Sequence, residues 1–203
     1  MQDRFDNPGR TRWRRFAAML VPATAVAGTI VFGMANGAIA ASFAVSGQTF
    51  KVSASELRGD GFVQYGGIAE ESDGRKHPVA VSGIRNAKLY DLCQSVKVPG
   101  APVVLTINAG GGGEPATASG LMIDMDSLQG DATFKDINIG QDASTLTGGP
   151  AGARGDVKAF GQQADTVVIK DLRQVARSTH AGTFNLTGLT MKVNVGADAE
   201  ECF

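Results

Sequence analysis

Apolar and polar positions alternate with period two through most of this chain after residue 41. Ser42–Ser53 (SFAVSGQTFKVS) alternates around a central glycine, and Gly61–Ala69 (GFVQYGGIA) forms a second run. The turn-like stretch Glu70–Pro78 (EESDGRKHP) separates that run from Val79-Ala-Val-Ser, which predicts a β-hairpin with a long loop. Val96-Lys-Val-Pro and Pro102–Ile107 predict another strand pair, with Pro99 and Pro102 marking the break. Leu121–Met125, Ala132–Ile139, Asp165–Asp171 and Thr183–Val195 complete the strand runs. Successive side chains of a strand point to opposite faces, so each run offers one apolar face to a core. No long stretch of period 3.6 follows residue 41. Short helical turns are expected only near Ser53–Leu57, Arg85–Cys93 and Leu172–Arg177. The pattern predicts an all-β domain of antiparallel sheets, as a sandwich or a flattened barrel.

The N-terminus breaks this pattern. Arg10, Arg12, Arg14 and Arg15 precede an uncharged run from Phe16 to Ile39, long enough to span a bilayer as a helix. Ala38-Ile39-Ala40 is a small-residue cleavage signature that points to a cut before Ala41. Two outcomes stay open, a removed signal peptide and a retained anchor. Both leave everything after Ala41 outside the cell membrane, in the envelope or the medium. The chain therefore divides into residues 1–40, the signal or anchor, and 41–203, a β-rich extracytoplasmic domain.

Charge and cysteine usage fit that placement. Residues 1–40 hold five of the 19 basic and two of the 20 acidic residues, leaving 14 against 18 and a net charge of −4. A nucleic-acid partner needs a basic footprint, so that class is excluded. Cys93 and Cys202, the two cysteines, both lie in the exported part, where an even count reads as a disulfide.

Two stretches resemble one another. Phe50–Phe62 (FKVSASELRGDGF) and Leu121–Phe134 (LMIDMDSLQGDATF) each carry an alternating strand, a leucine, Gly-Asp and an aromatic, and Val79–Leu92 is a weaker echo. They read either as a duplicated β unit or as a pattern on which strand-turn-strand segments converge. Ala109–Pro115 and Leu146–Gly155 are Gly/Pro-rich and read as loops, the second a mobile one.

Reactive chemistry is sparse. No serine sits in a G-x-S-x-G elbow, and the histidines, His77 and His180, each fall in a polar turn. Two distant histidines and two paired cysteines make no zinc pattern. Asp124, Asp126 and Asp131 lack the spacing of a calcium loop. No cofactor is expected. The polar cluster Gln141, Asp142 and Ser144, with Gln162 and Gln163, is where a specific site would be sought. Its plainer reading is an Asx-type turn closing a strand end. The alternating apolar positions are mostly core, although a concave β face of this make-up also suits a lipid tail.

Four strings carry a family resemblance: Trp13-Arg-Arg-Phe16, Asp136–Leu146 (DINIGQDASTL), Phe160–Leu172 (FGQQADTVVIKDL) and Glu201-Cys-Phe203. In these the chain resembles an actinobacterial family of exported proteins with no assigned function, some of whose members carry the label cholesterol esterase. The resemblance implies a membrane-proximal N-terminal segment, a β-rich outer domain and a small multi-spanning membrane protein as neighbour. The esterase label implies a nucleophile motif, which these residues do not supply. The expectation is a non-enzymatic cell-envelope protein on the outer side of the membrane that binds a lipid or a membrane partner. The alternatives are an assembly module that associates through edge strands, and a lipid esterase with an atypical site.

Overall fold

A computed structural model describes residues 43–44, 48–70, 74–98, 102–196 and 198–203. The apolar segment and the cleavage signature at Ala38, Ala40 and Ala41 lie outside the described residues, among which no helix is long and apolar enough to cross a membrane. The strands are β1 (Phe43–Ala44), β2 (Phe50–Glu70), β3 (Lys76–Tyr90), β4 (Leu92–Lys97), β5 (Val103–Ala109), β6 (Ala116–Lys135), β7 (Asn138–Asp142), β8 (Phe160–His180), β9 (Thr183–Asn185) and β10 (Thr190–Val195). Every pairing between them is antiparallel. The chain is all-β, as its period-two pattern predicts.

Separate runs in the sequence fuse into long strands. The end of the Ser42–Ser53 run and the Gly61–Ala69 run are one strand, β2. Leu121–Met125 joins the first part of the Ala132–Ile139 run in β6, the rest of that run lying beyond Asp136 with its end on β7. Glycine makes this continuity possible. Gly61 has a φ of 70°, which lets the chain re-phase without leaving the sheet. The expected helical turns are strand instead. Ala54 and Leu57 on β2, Ala87 and Leu89 on β3, and Leu172, Gln174 and Ala176 on β8 are all buried. Cross-strand packing of these side chains decides over weak local helical preference.

Four long strands close into a ring. β2 pairs with β3 and β8, and β6 pairs with the same two. Leu57 faces Leu89, Leu89 faces Ala116, and in the other direction Leu57 faces Ile169, which faces Ala132. The walk therefore returns to β6 well along the strand from where it started. A ring of so few strands with that much stagger is strongly tilted and flattened, and its side chains fill it. Phe50, Leu57, Phe62, Ile84, Leu121, Val167 and Ile169 belong to one buried cluster, and the Phe62 and Phe134 rings lie 5.3 Å apart. The resembling stretches of the sequence are β2 and β6, which flank β8 on its two sides.

An arm, β4–β5–β10, extends from the N-terminal part of β2, with β10 at its outer edge. The C-terminal tail folds back over one face of this arm. Cys202 bonds to Cys93 of β4, and its amide donates to the buried Ser95 hydroxyl at 3.0 Å. Lys51 donates to Glu201 at 3.0 Å and to the backbone oxygen of Phe203 at 2.7 Å, and stands over the Phe203 ring. The family-like ending is thus a clasp at the junction of ring and arm.

Candidate binding face at the ends of β2, β7 and β8

The two faces of the sheet formed by β7, β8, β2 and β3 part company towards the β2–β3 hairpin. The outer face is covered. Val63 and Tyr65 of β2 pack under Ala143, Leu146 and Ala153 of the segment joining β7 to β8. Leu146–Gly155, expected as a mobile loop, is instead pinned. The Gln163 side-chain oxygen accepts from the Thr147 and Gly148 amides at 2.9 Å each, and Arg85 donates to the Gly148 carbonyl at 2.8 Å. Gly149 allows this approach, since a Cβ there would lie 2.4 Å from Val63.

The inner face changes character along the strands. Phe62 faces Ile84 and Ala164, and all three are buried. Two residues further, in the same phase, Gln64 faces Ser82 on β3 and Gln162 on β8. The Gln162 amide nitrogen donates to the Gln64 oxygen at 2.6 Å, and the Gln64 nitrogen donates to the Ser82 hydroxyl at 3.0 Å. This ladder links the amides at the edge of the core. Beyond it the same phase holds Ile68 on β2 and Phe160 on β8, while Ile139 of β7 faces Gln162. These three side chains are 70%, 60% and 66% exposed, and Val157 just before β8 is also exposed. An amide floor with an apolar rim is the result.

The five polar residues singled out from the sequence divide between two roles. Gln141, Asp142 and Ser144 build a turn. Asp142 caps the 3-10 turn Ala143–Thr145, one of its oxygens accepting from the Ser144 amide and hydroxyl at 2.9 and 2.8 Å. Its other oxygen accepts from the Lys158 amide at 2.9 Å. These bonds, the Lys158 one foremost, hold its carboxyl below the usual aspartate range. Gln141 donates to the Thr145 hydroxyl at 2.9 Å. Gln163 pins the covering segment on the outer face, and its neighbour Gln162 belongs to the inner ladder. Of the five, only Gln162 reaches the candidate face.

Gln64, Ser82, Ile68 and Phe160 were not legible as site residues. The available signal was phase. Gln64 occupies an apolar phase behind Phe62, and Phe160-Gly-Gln-Gln puts adjacent glutamines on opposite faces. The remaining sequence candidates are placed apart from this face. Asp124 accepts from the Ser178 hydroxyl at 2.7 Å, and Asp126 takes a two-point contact from Arg177 at 2.6 and 2.9 Å. Both carboxylates are engaged across β6 and β8. Burial, with the Asp124 charge, pushes the Tyr65 hydroxyl upward. His77 lies on β3 opposite Ala69, and His180 ends β8 opposite Met122.

No curated protein and no solved structure matches this chain. A family model does, over residues 46–203, so strands β2 to β10, the covering segment and the C-terminal clasp fall within the match. The chain belongs to the family of unknown function DUF6230.

Proposed function

We propose that this chain is exported and acts on the outer side of the cell membrane as a non-enzymatic binding module for an amphiphilic lipid. The observation that carries the reading is the open inner face at the ends of β2, β7 and β8. Ile68, Ile139 and Phe160 offer apolar contact there, and Gln64 and Gln162 offer amide hydrogen bonds beside it. Ligand sites of this kind pair apolar walls with a few orienting polar groups. The Cys93–Cys202 bond supports an oxidising compartment, and the apolar run Phe16–Ile39 supports export.

The rim and β1 lie at opposite ends of β8. β1 joins β8 at Ser178 and Thr179, whereas the rim is at Phe160. At about 3.3 Å per residue the intervening strand has a contour of about 60 Å. A retained anchor would therefore hold the rim away from its own bilayer, suited to a lipid of the outer envelope or one presented by a partner.

The test uses the full chain in mild detergent and a fluorescent acyl-chain probe. The expected result is saturable binding that weakens at least tenfold in Phe160→Asp and Ile139→Asp, both exposed positions at which folding should persist. Equal binding by the parent and both variants, or none by the parent, would overturn the reading.

A further inference from the structure

We propose that β10 is a self-association edge, at which two copies of this chain pair antiparallel about a two-fold axis at Val193. This inference does not rest on the lipid-binding reading. Among the described residues, β10 ends the sheet path and pairs with β5 on one side only. Met191, Val193 and Val195 alternate along it, 49%, 65% and 74% exposed. They extend an apolar face whose inner columns are already used. Ile107, Leu105 and Val103 of β5 stand opposite them, with Ile107 buried in the main core and Val96 of β4 packed against it. A strand edge with unpaired backbone groups and exposed apolar side chains is a template for another strand.

Charge selects a second copy in one register. Centred on Val193, an antiparallel pair sets Met191 against the partner's Val195 and Lys192 against the partner's Asn194. Asn194 lines a groove with Asp198 and Glu200 of the returning tail. Each Lys192 would then project beside two carboxylates of the other copy, twice over by symmetry. Shifting the centre to Lys192 would set two ammonium groups face to face, which opposes pairing. An isologous contact of this type closes as a dimer and continues the two arms into one sheet.

The full chain in mild detergent tests this by disulfide trapping. Directly opposed strand positions have Cβ atoms about 5 Å apart, close enough for a bond. Val193→Cys should give a covalent dimer on a non-reducing gel under mild oxidation. Thr190→Cys should not, because the two copies of that position would be about 20 Å apart along the ladder. Val193→Lys should halve the mass measured by light scattering, with its β-sheet circular dichroism unchanged. Lys192→Glu should weaken dimerisation at least tenfold, less so at high salt. A monomeric parent chain at tens of micromolar overturns the proposal. So does equal trapping at 190 and 193, or a Val193→Lys chain that stays dimeric. A monomeric parent that still binds the acyl probe would leave the lipid reading standing alone.

Discussion

Asp91 and Asp171 occupy matching positions on either side of Ser55. Each has a φ of 50°, and each is followed by a buried leucine, Leu92 or Leu172. The registers Glu56↔Tyr90 with Ser53↔Cys93, and Glu56↔Lys170 with Ala54↔Leu172, centre both aspartates on that serine. Asp136, between β6 and β7, repeats the device with a φ of 54° before Ile137. Asp171 turns β8 without ending it, whereas Asp91 and Asp136 mark the joins β3–β4 and β6–β7, and aspartate tolerates the left-handed conformation better than most residues. Asp171→Gly should therefore leave stability within about 0.5 kcal/mol, whereas Asp171→Val should cost about 1–2 kcal/mol. Asp91→Gly should cost more than Asp171→Gly, because Asp91 accepts the Ser55 hydroxyl at 2.7 Å. Urea unfolding of the three variants measures these differences.

Gly59 is tightly packed inside the ring. A Cβ there would lie 2.8 Å from Ile84 and 2.9 Å from Val167, both side chains of the filled core. Gly59→Ala should cost about 1–3 kcal/mol through overpacking. Gly66 on the same strand has nothing within 4 Å of its would-be Cβ. Gly66→Ala should be neutral or stabilise by up to about 1 kcal/mol, since alanine has less freedom to lose on folding. Opposite signs for two glycines seven residues apart on one strand would be read directly from denaturation midpoints.

How far the sequence carried the structure follows from which interactions are local. Alternation within single strands is local, so the all-β class and the β2–β3 and β4–β5 hairpins were legible. The ring was not. Gln64 meets Gln162 through β2–β8 pairing between residues far apart in the chain, and no local signal sets that register. The same limit applied to Leu146–Gly155, where glycines suggested mobility but serve close packing on Val63 and Tyr65. The Asx turn at Asp142 was legible because its partners Ser144 and Thr145 are near neighbours. The Lys158 amide that completes it was not.

The Cys93–Cys202 bond closes a loop across a separation of 109 residues. The chain-entropy model gives about 4–5 kcal/mol for such a loop, and observed values commonly fall at about 2–4 kcal/mol. A double variant, Cys93→Ser with Cys202→Ser, should lose about that much in urea unfolding. The Lys51 contacts to Glu201 and Phe203 remain, so the tail should keep some affinity for the arm. The intact mass without reductant should be two units below that of the dithiol, and reduction of the parent should reproduce the instability of the variant.

Asp142 supplies a pH dependence whose sign is fixed by its bonds. Its folded carboxyl is held below the ordinary value of 3.8 by the Lys158 amide first, then by the Ser144 hydroxyl and amide. A carboxyl with a lowered folded value binds its proton more weakly folded than unfolded. Its stabilising effect is therefore fully present above the unfolded value, and is lost as pH falls through the folded one. The loss should appear below about pH 4 and be absent between pH 5 and 8. Asp142→Asn keeps an oxygen acceptor but removes the charge. It should be less stable than the parent at pH 7, with the gap narrowing as pH drops from 4 to 2. Denaturant midpoints of the two chains across that range test it. A gap that stayed constant would show that the Lys158 and Ser144 bonds owe nothing to the carboxylate charge.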